Sequence, residues 1–227
     1  MESRAMRWLT ARPAREALIV AAAAPALIAL FYAGGRLAPL WKTAAGLLVP
    51  NLLLWLPLGL IVYSGRNAAD FGLTTRNWRL GLRWGFGAAA VTLPLFLLGA
   101  WLFWRVAGHR PPVWRFDLGL LTRLPVQLVA VALPEEVFFR GYLQTLFSRA
   151  WPARSRPLIG ADGAAILAAS ACFAVAHLAA EPRLYRLSVF FPGLLFGFLR
   201  ARTGTIAAPI VLHTLANLAI YVLDGGV

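Results

Sequence analysis

Cysteine, lysine and acidic side chains are scarce in this chain of 227 residues. The single cysteine, Cys172, lies inside an apolar run, which excludes a disulfide framework and a cysteine-based metal centre and leaves small-residue packing as its role. Nine aspartates and glutamates stand against 22 basic residues, and Lys42 is the sole lysine among them. The resulting formal charge of +13 is large, but the arginines fall in short clusters between apolar runs rather than in one stripe or tail. That distribution suits lipid headgroups and membrane topology and argues against a nucleic-acid partner. Charged residues make up only 14% of the chain and apolar ones 60%, with a mean hydropathy of +0.69. Soluble domains carry roughly 45–50% apolar residues, so the chain reads as an integral membrane protein. The preference for arginine over lysine points to a GC-rich bacterial genome, and hence to a bacterial cytoplasmic membrane. Internal repeats and low-complexity segments are absent.

What is present is a series of apolar runs: 17–33, 43–63, 84–104, 125–147, 163–180, 187–199 and 205–223. The first follows Arg4, Arg7, Arg12 and Arg15. It is long for a signal-peptide core and no small-x-small site closes it, so it reads as a retained span. Pro50 and Pro57 predict a bent second span. The segment 64–83, with Asp70-Phe71-Gly72-Leu73 among four arginines, reads as a membrane-surface linker with a short interfacial helix. Trp78, Trp84, Trp101 and Trp104 bracket the third span as an aromatic belt. The Gly193-x-x-x-Gly197 pair lets another helix approach closely. With the N-terminus cytoplasmic, the inner segments hold 13 basic residues against 8 outside, which favours that orientation. The expected fold is an all-α polytopic transmembrane helical bundle of about seven spans. Residues 1–227 form one membrane domain, with the site between spans four, five and seven.

Only the fourth span carries formal charge away from its ends, in Leu-Pro-Glu-Glu-Val-Phe-Phe-Arg-Gly-Tyr, residues 133–142. Each ionisable group at bilayer depth costs about 3 kcal/mol on insertion scales, so this stretch is a functional-site candidate. On an α-helix Glu136 and Arg140 stand four residues apart in the favoured acid-first order. Glu135 lies about 100° from Glu136 and about 140° from Arg140, and so has no partner on its own helix. Pro134 cannot donate to the Ala130 carbonyl, which opens the backbone beside it. Polar company comes from later spans: Phe173 and His177 share one helix face, and His213 and Asn217 share another.

Such a set supports attack of water on an amide. An acid in an apolar cavity is a stronger base near neutral pH, and an adjacent imidazole holds water and shuttles protons. A second imidazole with a carboxamide offers donors to an oxyanion. Two His and one Glu are also the ligand set of many zinc hydrolases. Against zinc, no His-Glu-x-x-His lies on a single helix, and Asn217 is a poor zinc ligand. The expectation is a site without a cofactor, with zinc as the alternative. Two readings from other classes are a proton-coupled transporter, which usually shows repeated halves, and a non-catalytic immunity or interaction protein.

Glu135-Glu136-x-x-x-Arg140, Phe173-x-x-x-His177 and His213-x-x-x-Asn217 resemble the three signatures of the CAAX protease and bacteriocin-processing (CPBP, Abi) intramembrane endopeptidases. The resemblance covers roughly residues 120–223, with Asp70-Phe71-Gly72-Leu73 similar to a looser upstream feature. It implies a glutamate-dependent protease in which Glu135 and His177 activate water and His213 and Asn217 stabilise the oxyanion. Glu136, Arg140 and Phe173 are then supporting residues. The implied substrate is a membrane-associated protein or peptide: members of the family trim prenylated CAAX proteins, and bacterial relatives act on other targets, including C-terminal sorting tails.

Overall fold

The computed structural model describes residues 12–106, 114, 116–151 and 163–224. The basic start with Arg4 and Arg7, residues 107–113 and 115 of the loop expected at 107–123, and the loop carrying Arg154 and Arg156 lie outside the described residues. Among those described there are seven principal helices and no strand. They are α1 (Pro13–Leu37), α2 (Pro39–Tyr63), α3 (Trp78–Val106), α4 (residues 119–150), α5 (Gly163–Ala180), α6 (Phe190–Thr203) and α7 (Ala207–Asp224). Five helices are long and apolar enough to cross a bilayer, and Ala207–Leu223 is a shorter apolar one. The expected helical membrane bundle is therefore present.

Local chemistry sets the boundaries. Pro39 forces Ala38 into an extended conformation (φ −148°, ψ 131°) and so separates α1 from α2. Pro13 and Pro39 open their helices, where a missing N–H costs nothing. Several helices exceed their expected spans: α1 covers Pro13–Leu37 instead of 17–33, α2 begins at Pro39 instead of 43, α3 begins at Trp78 instead of 84, and α4 starts at Gly119 and runs to Ala150.

Helix α4 is not a uniform α-helix. Two π-helical stretches, Val126–Ala132 and Val137–Leu143, flank a single α-turn, Leu133–Glu136. The amide of Leu133 bonds back five residues to Leu128, and that of Gln144 bonds back to Phe139. Pro134 contributes, because it cannot supply the next α-type donor. Wide turns of this kind concentrate at functional sites, and here they enclose the two glutamates.

The burial pattern is that of a molecule dissolved in lipid. Large apolar side chains such as Leu47, Trp55, Leu95 and Phe103 point outward, while Glu16, Glu136, Arg140, Gln144 and His213 are buried. Glycines permit the close helix crossings that this interior needs. A Cβ on Gly197 would lie 2.9 Å from Ile166 of α5 and 3.0 Å from the Gln144 carboxamide of α4. Gly81 and Gly85 give the same licence to α3 against Thr205, Ala208 and Val211.

The segment expected as a surface linker is docked instead. Ala68–Phe71 forms one 3-10 turn capped by Asn67, and Phe71 is fully buried, stacking on Tyr142 at 5.6 Å. Gly72 adopts φ +75° with the Arg200 guanidinium packed over it, and its carbonyl accepts from the Ile206 amide at 3.2 Å. Beside this turn Glu16 is fully buried and accepts both Arg66 nitrogens, at 2.8 and 2.6 Å, together with the Tyr142 hydroxyl. Helix α1 is thereby fastened to α4 at the end of the bundle that carries 64–77.

Gly197→Val is expected to destabilise the protein by about 1–3 kcal/mol through overpacking. Gly87→Ala, where a Cβ meets nothing within 4 Å, is expected to be neutral or to stabilise by up to about 1 kcal/mol. Thermal unfolding of both variants in detergent measures the difference.

Candidate active site

Three helices bring the predicted residues together. The α-turn of α4 presents Glu135 and Glu136, the last turn of α5 presents His177, and the middle of α7 presents His213. Glu136, with no exposed surface, accepts Arg140 Nη1 at 2.9 Å and lies 2.8 Å from His213 Nδ1. One carboxylate oxygen thus joins the guanidinium to the imidazole. The spacing of the sequence led to the Glu136–Arg140 pair. The His213 contact comes from a separate helix and was not legible.

Both imidazoles have one nitrogen committed. His177 Nδ1 is 3.0 Å from the Phe173 carbonyl, an acceptor that fixes this nitrogen as the donor. His213 Nδ1 faces the Glu136 carboxylate in the same way. Each ring therefore turns Nε2 toward one atom, Glu135 Oε2, at 4.0 Å for His177 and 3.7 Å for His213. These distances exceed a direct hydrogen bond and are spanned by one bridging group such as water. Glu135 Oε2 itself is buried and has no hydrogen-bond partner among the described residues.

Phe173 is the packing platform of the group. Its ring stands 4.1 Å from the Arg140 guanidinium, 4.4 Å from the His177 ring and 6.0 Å from the His213 ring, while Phe196 stacks on His213 at 5.0 Å. Three aromatic faces around one guanidinium, from Phe139, Phe173 and Phe196, supply cation–π attraction where water is excluded. Arg140 Nη2 also donates to the Gly193 carbonyl at 3.4 Å, and Gln144 donates to Gly197 at 3.1 Å. The small-residue pair thus offers α4 two backbone acceptors one turn apart.

Asn217 is placed differently. Its Nδ2 donates to Gln127 Oε1 at 2.8 Å, which ties α7 to the first π-turn of α4. The described contacts of Asn217 do not include Glu135. Gln127 was not singled out by sequence, because an uncharged amide in an apolar run carries no signal of its own partner.

A cleft of about 620 Å³ leads to Glu135 and His177, bordered by Tyr32, Gly35, Glu181 and Arg186. It extends inward to a small cavity of about 70 Å³ between Ile28, Leu53 and Phe139. Helices α1 and α2 therefore contribute a wall, so the site is not confined to helices four, five and seven. At the mouth, Glu181 accepts Arg186 Nε at 2.7 Å and lies 3.2 Å from Arg183 Nε. The Arg186 hydrogen bond holds the Glu181 carboxyl below its ordinary range.

Among the described residues, no group of three His, Cys, Asp or Glu side chains has a metal-holding geometry. Ligand atoms around one tetrahedral zinc stand about 3.3 Å apart, against the 3.7 and 4.0 Å separations at Glu135. Those three side chains would have to draw together by several tenths of an ångström.

Residues 117–219 match the family model described as Type II CAAX prenyl endopeptidase Rce1-like. The match covers α4 to α7 almost entire and agrees with the resemblance carried by the three motifs. It supports an intramembrane endopeptidase in general terms. No curated protein and no solved structure matches the chain.

Arg140→Met leaves Glu136 buried without its cation and is expected to cost about 3–5 kcal/mol. Glu136→Gln combined with Arg140→Met is expected to be milder than Arg140→Met alone, because no uncompensated charge remains. Thermal unfolding of the single and double variants in detergent tests the coupling.

Proposed function

We propose, for a chain whose residues 117–219 match the Rce1-like endopeptidase family, that it hydrolyses a peptide bond in a membrane-associated protein through water activated by Glu135 and His177. The observation that carries this reading is the buried, unpartnered Glu135 Oε2 facing two imidazole Nε2 atoms. A water seated between Glu135 and His177 loses its proton to the carboxylate as its oxygen attacks the carbonyl carbon. The proton then passes to the departing amine nitrogen as the carbon–nitrogen bond breaks.

The tetrahedral oxyanion is assigned to His213 and Asn217. When His213 is protonated on both nitrogens it donates Nδ1–H to Glu136 and Nε2–H toward the site. Arg140 anchors Glu136 and so fixes the ring's orientation. Asn217 Nδ2 carries two hydrogens, of which one is taken by Gln127. The second is the proposed donor, and Gln127 is then the residue that orients it.

The cleft opens at the end of the bundle that holds the α1–α2 turn and the α5–α6 connection. The charge count favours that end lying outside the cytoplasm, in what we take to be a bacterial cytoplasmic membrane. This favours a substrate approached from the outer face, such as the C-terminal sorting tail of an exported protein. Catalysis is assigned to these side chains without a metal.

Glu135→Gln and His177→Ala are expected to reduce cleavage at least about 100-fold with membrane insertion unchanged. Asn217→Ala is expected to lose about 100- to 1,000-fold, the range of a lost oxyanion donor. New protein C-termini in membranes with and without the active enzyme provide the readout, and they also identify substrate and membrane face. Normal processing by Glu135→Gln would reject the proposal. Chelator treatment of the purified protein is expected to leave its rate unchanged; a loss restored by zinc would keep the hydrolase and overturn the metal-free mechanism.

A further inference from the structure

Helix α2 turns opposite faces to the protein and to lipid. Val49, Leu53 and Ile61 are buried against the neighbouring helices, and Val49 and Leu53 line the small cavity beside Glu135. Leu47, Trp55 and Val62 are 65%, 63% and 78% exposed. Asn51 belongs to the exposed set. It stands two residues from both Val49 and Leu53 and about 200° round the helix from each, so its carboxamide lies along the middle of the outward face.

That position is also deep. The apolar span runs Thr43–Tyr63, and at about 1.5 Å per residue Asn51 is about 12 Å from one end and about 18 Å from the other, inside a hydrocarbon layer about 30 Å thick. A polar side chain is costly there. Part of the cost is met within the helix: Asn51 Nδ2 donates to the Leu47 carbonyl at 2.8 Å, and Oδ1 accepts Trp55 Nε1 at 3.2 Å. A carboxamide carries two N–H donors and two acceptor lone pairs, so one of each remains, and the described residues supply a partner to neither. Trp55 is misplaced in the same way, since tryptophans concentrate at the bilayer surface and this one lies about 12 Å inside Tyr63. The two form a polar spot at the centre of an otherwise apolar face.

The unused donor and acceptor define what covers it. Copies of one membrane protein insert with one orientation, so a twofold axis relating two of them runs along the membrane normal, and a residue on that axis meets its own counterpart at the same depth. Asn51 then faces a second Asn51. The electrostatic match is mutual, because each N–H meets the carbonyl oxygen of the other. A lipid chain offers neither group, and an unrelated helix would need a polar residue at that one depth. Amide side chains bonded across helices hold membrane segments together in this manner. We infer that two copies of this chain pair through α2, with Asn51 at the twofold axis. The contact uses the face of α2 turned away from the Glu135 cavity and does not depend on the proposed chemistry.

The test uses the full chain in phosphatidylcholine liposomes, with association read from energy transfer between labelled copies as protein is diluted in lipid. The wild type is expected to dimerise, and Asn51→Leu, which suits lipid better, to weaken dimerisation at least about tenfold; its unfolding temperature checks that it folds. Oxidative cross-linking in a Cys172→Ala background reads the same contact with Asn51 intact, and decides the matter if Asn51→Leu proves unstable. Leu47→Cys, one turn from Asn51, is expected to form a disulfide between copies, whereas Leu95→Cys, 63% exposed on α3, is not. A monomeric wild type, unchanged dimerisation in a folded Asn51→Leu, or cross-linking at Leu47→Cys no stronger than at Leu95→Cys would overturn the interface.

Discussion

An arginine with no exposed surface sits at the centre of a protein surrounded by lipid, and the structure nearby is arranged to accommodate it. Arg140 holds Glu136 and the Gly193 carbonyl and is faced by three phenylalanine rings. Desolvating a guanidinium is tolerable only with this degree of compensation. The requirement propagates outward. Helix α6 can offer its carbonyl only because Gly193 and Gly197 let it come close. Phe173 can serve the cation only because α5 crosses at the same level. Once Glu136 is held in place by Arg140, it has a free bonding direction for His213.

The same arrangement separates two carboxylates that are neighbours in sequence. Glu136 is bound through one oxygen in the buried chain from Arg140 to His213, whereas Glu135 lies on the cleft side and faces the two imidazole Nε2 atoms; among the described residues each keeps one oxygen without a hydrogen-bond partner. Adjacent acids thereby acquire different environments, and pairs of this kind are how one site provides both a reactive and a supporting carboxyl. The π-turns on either side contribute by widening the helix where α4 passes the two histidine-bearing helices. The aromatic packing closes the site toward α6, and the cleft beside Tyr32 and Glu181 leaves it open on the other side.

The polar interior continues beyond the site. Glu16, Arg66 and Tyr142 fasten α1 to α4, and the Asp70–Gly72 turn fastens the first half of the chain to α6 and α7. In a bilayer, where helix association gains little from apolar contact, such polar joints and close glycine crossings supply what a hydrophobic core supplies in water. The N-terminal helices are therefore more than an anchor: they wall the cleft on one side and secure the docked turn on the other.

Charge and periodicity in the chain alone determined the membrane class, the number of helices, and the residues to examine. Glu135, Glu136, Arg140, His177 and His213 were legible because ionisable groups are costly in apolar runs, Asn217 because it lies one helical turn from His213, and the Glu136–Arg140 pair followed from helical spacing. Tertiary structure alone decided the partners: His213 on Glu136, Gln127 on Asn217, Glu16 on Arg66, and the burial of Phe71. These contacts join residues far apart in sequence, as does that of Glu16 with Tyr142 at a separation of 126, and no local pattern encodes which distant helix a side chain will meet. The π-turns belong with them, since they depend on how α4 is packed as well as on Pro134. Spacing along one helix is a property of the backbone and can be read in advance, whereas contacts between helices exist only after the bundle has closed.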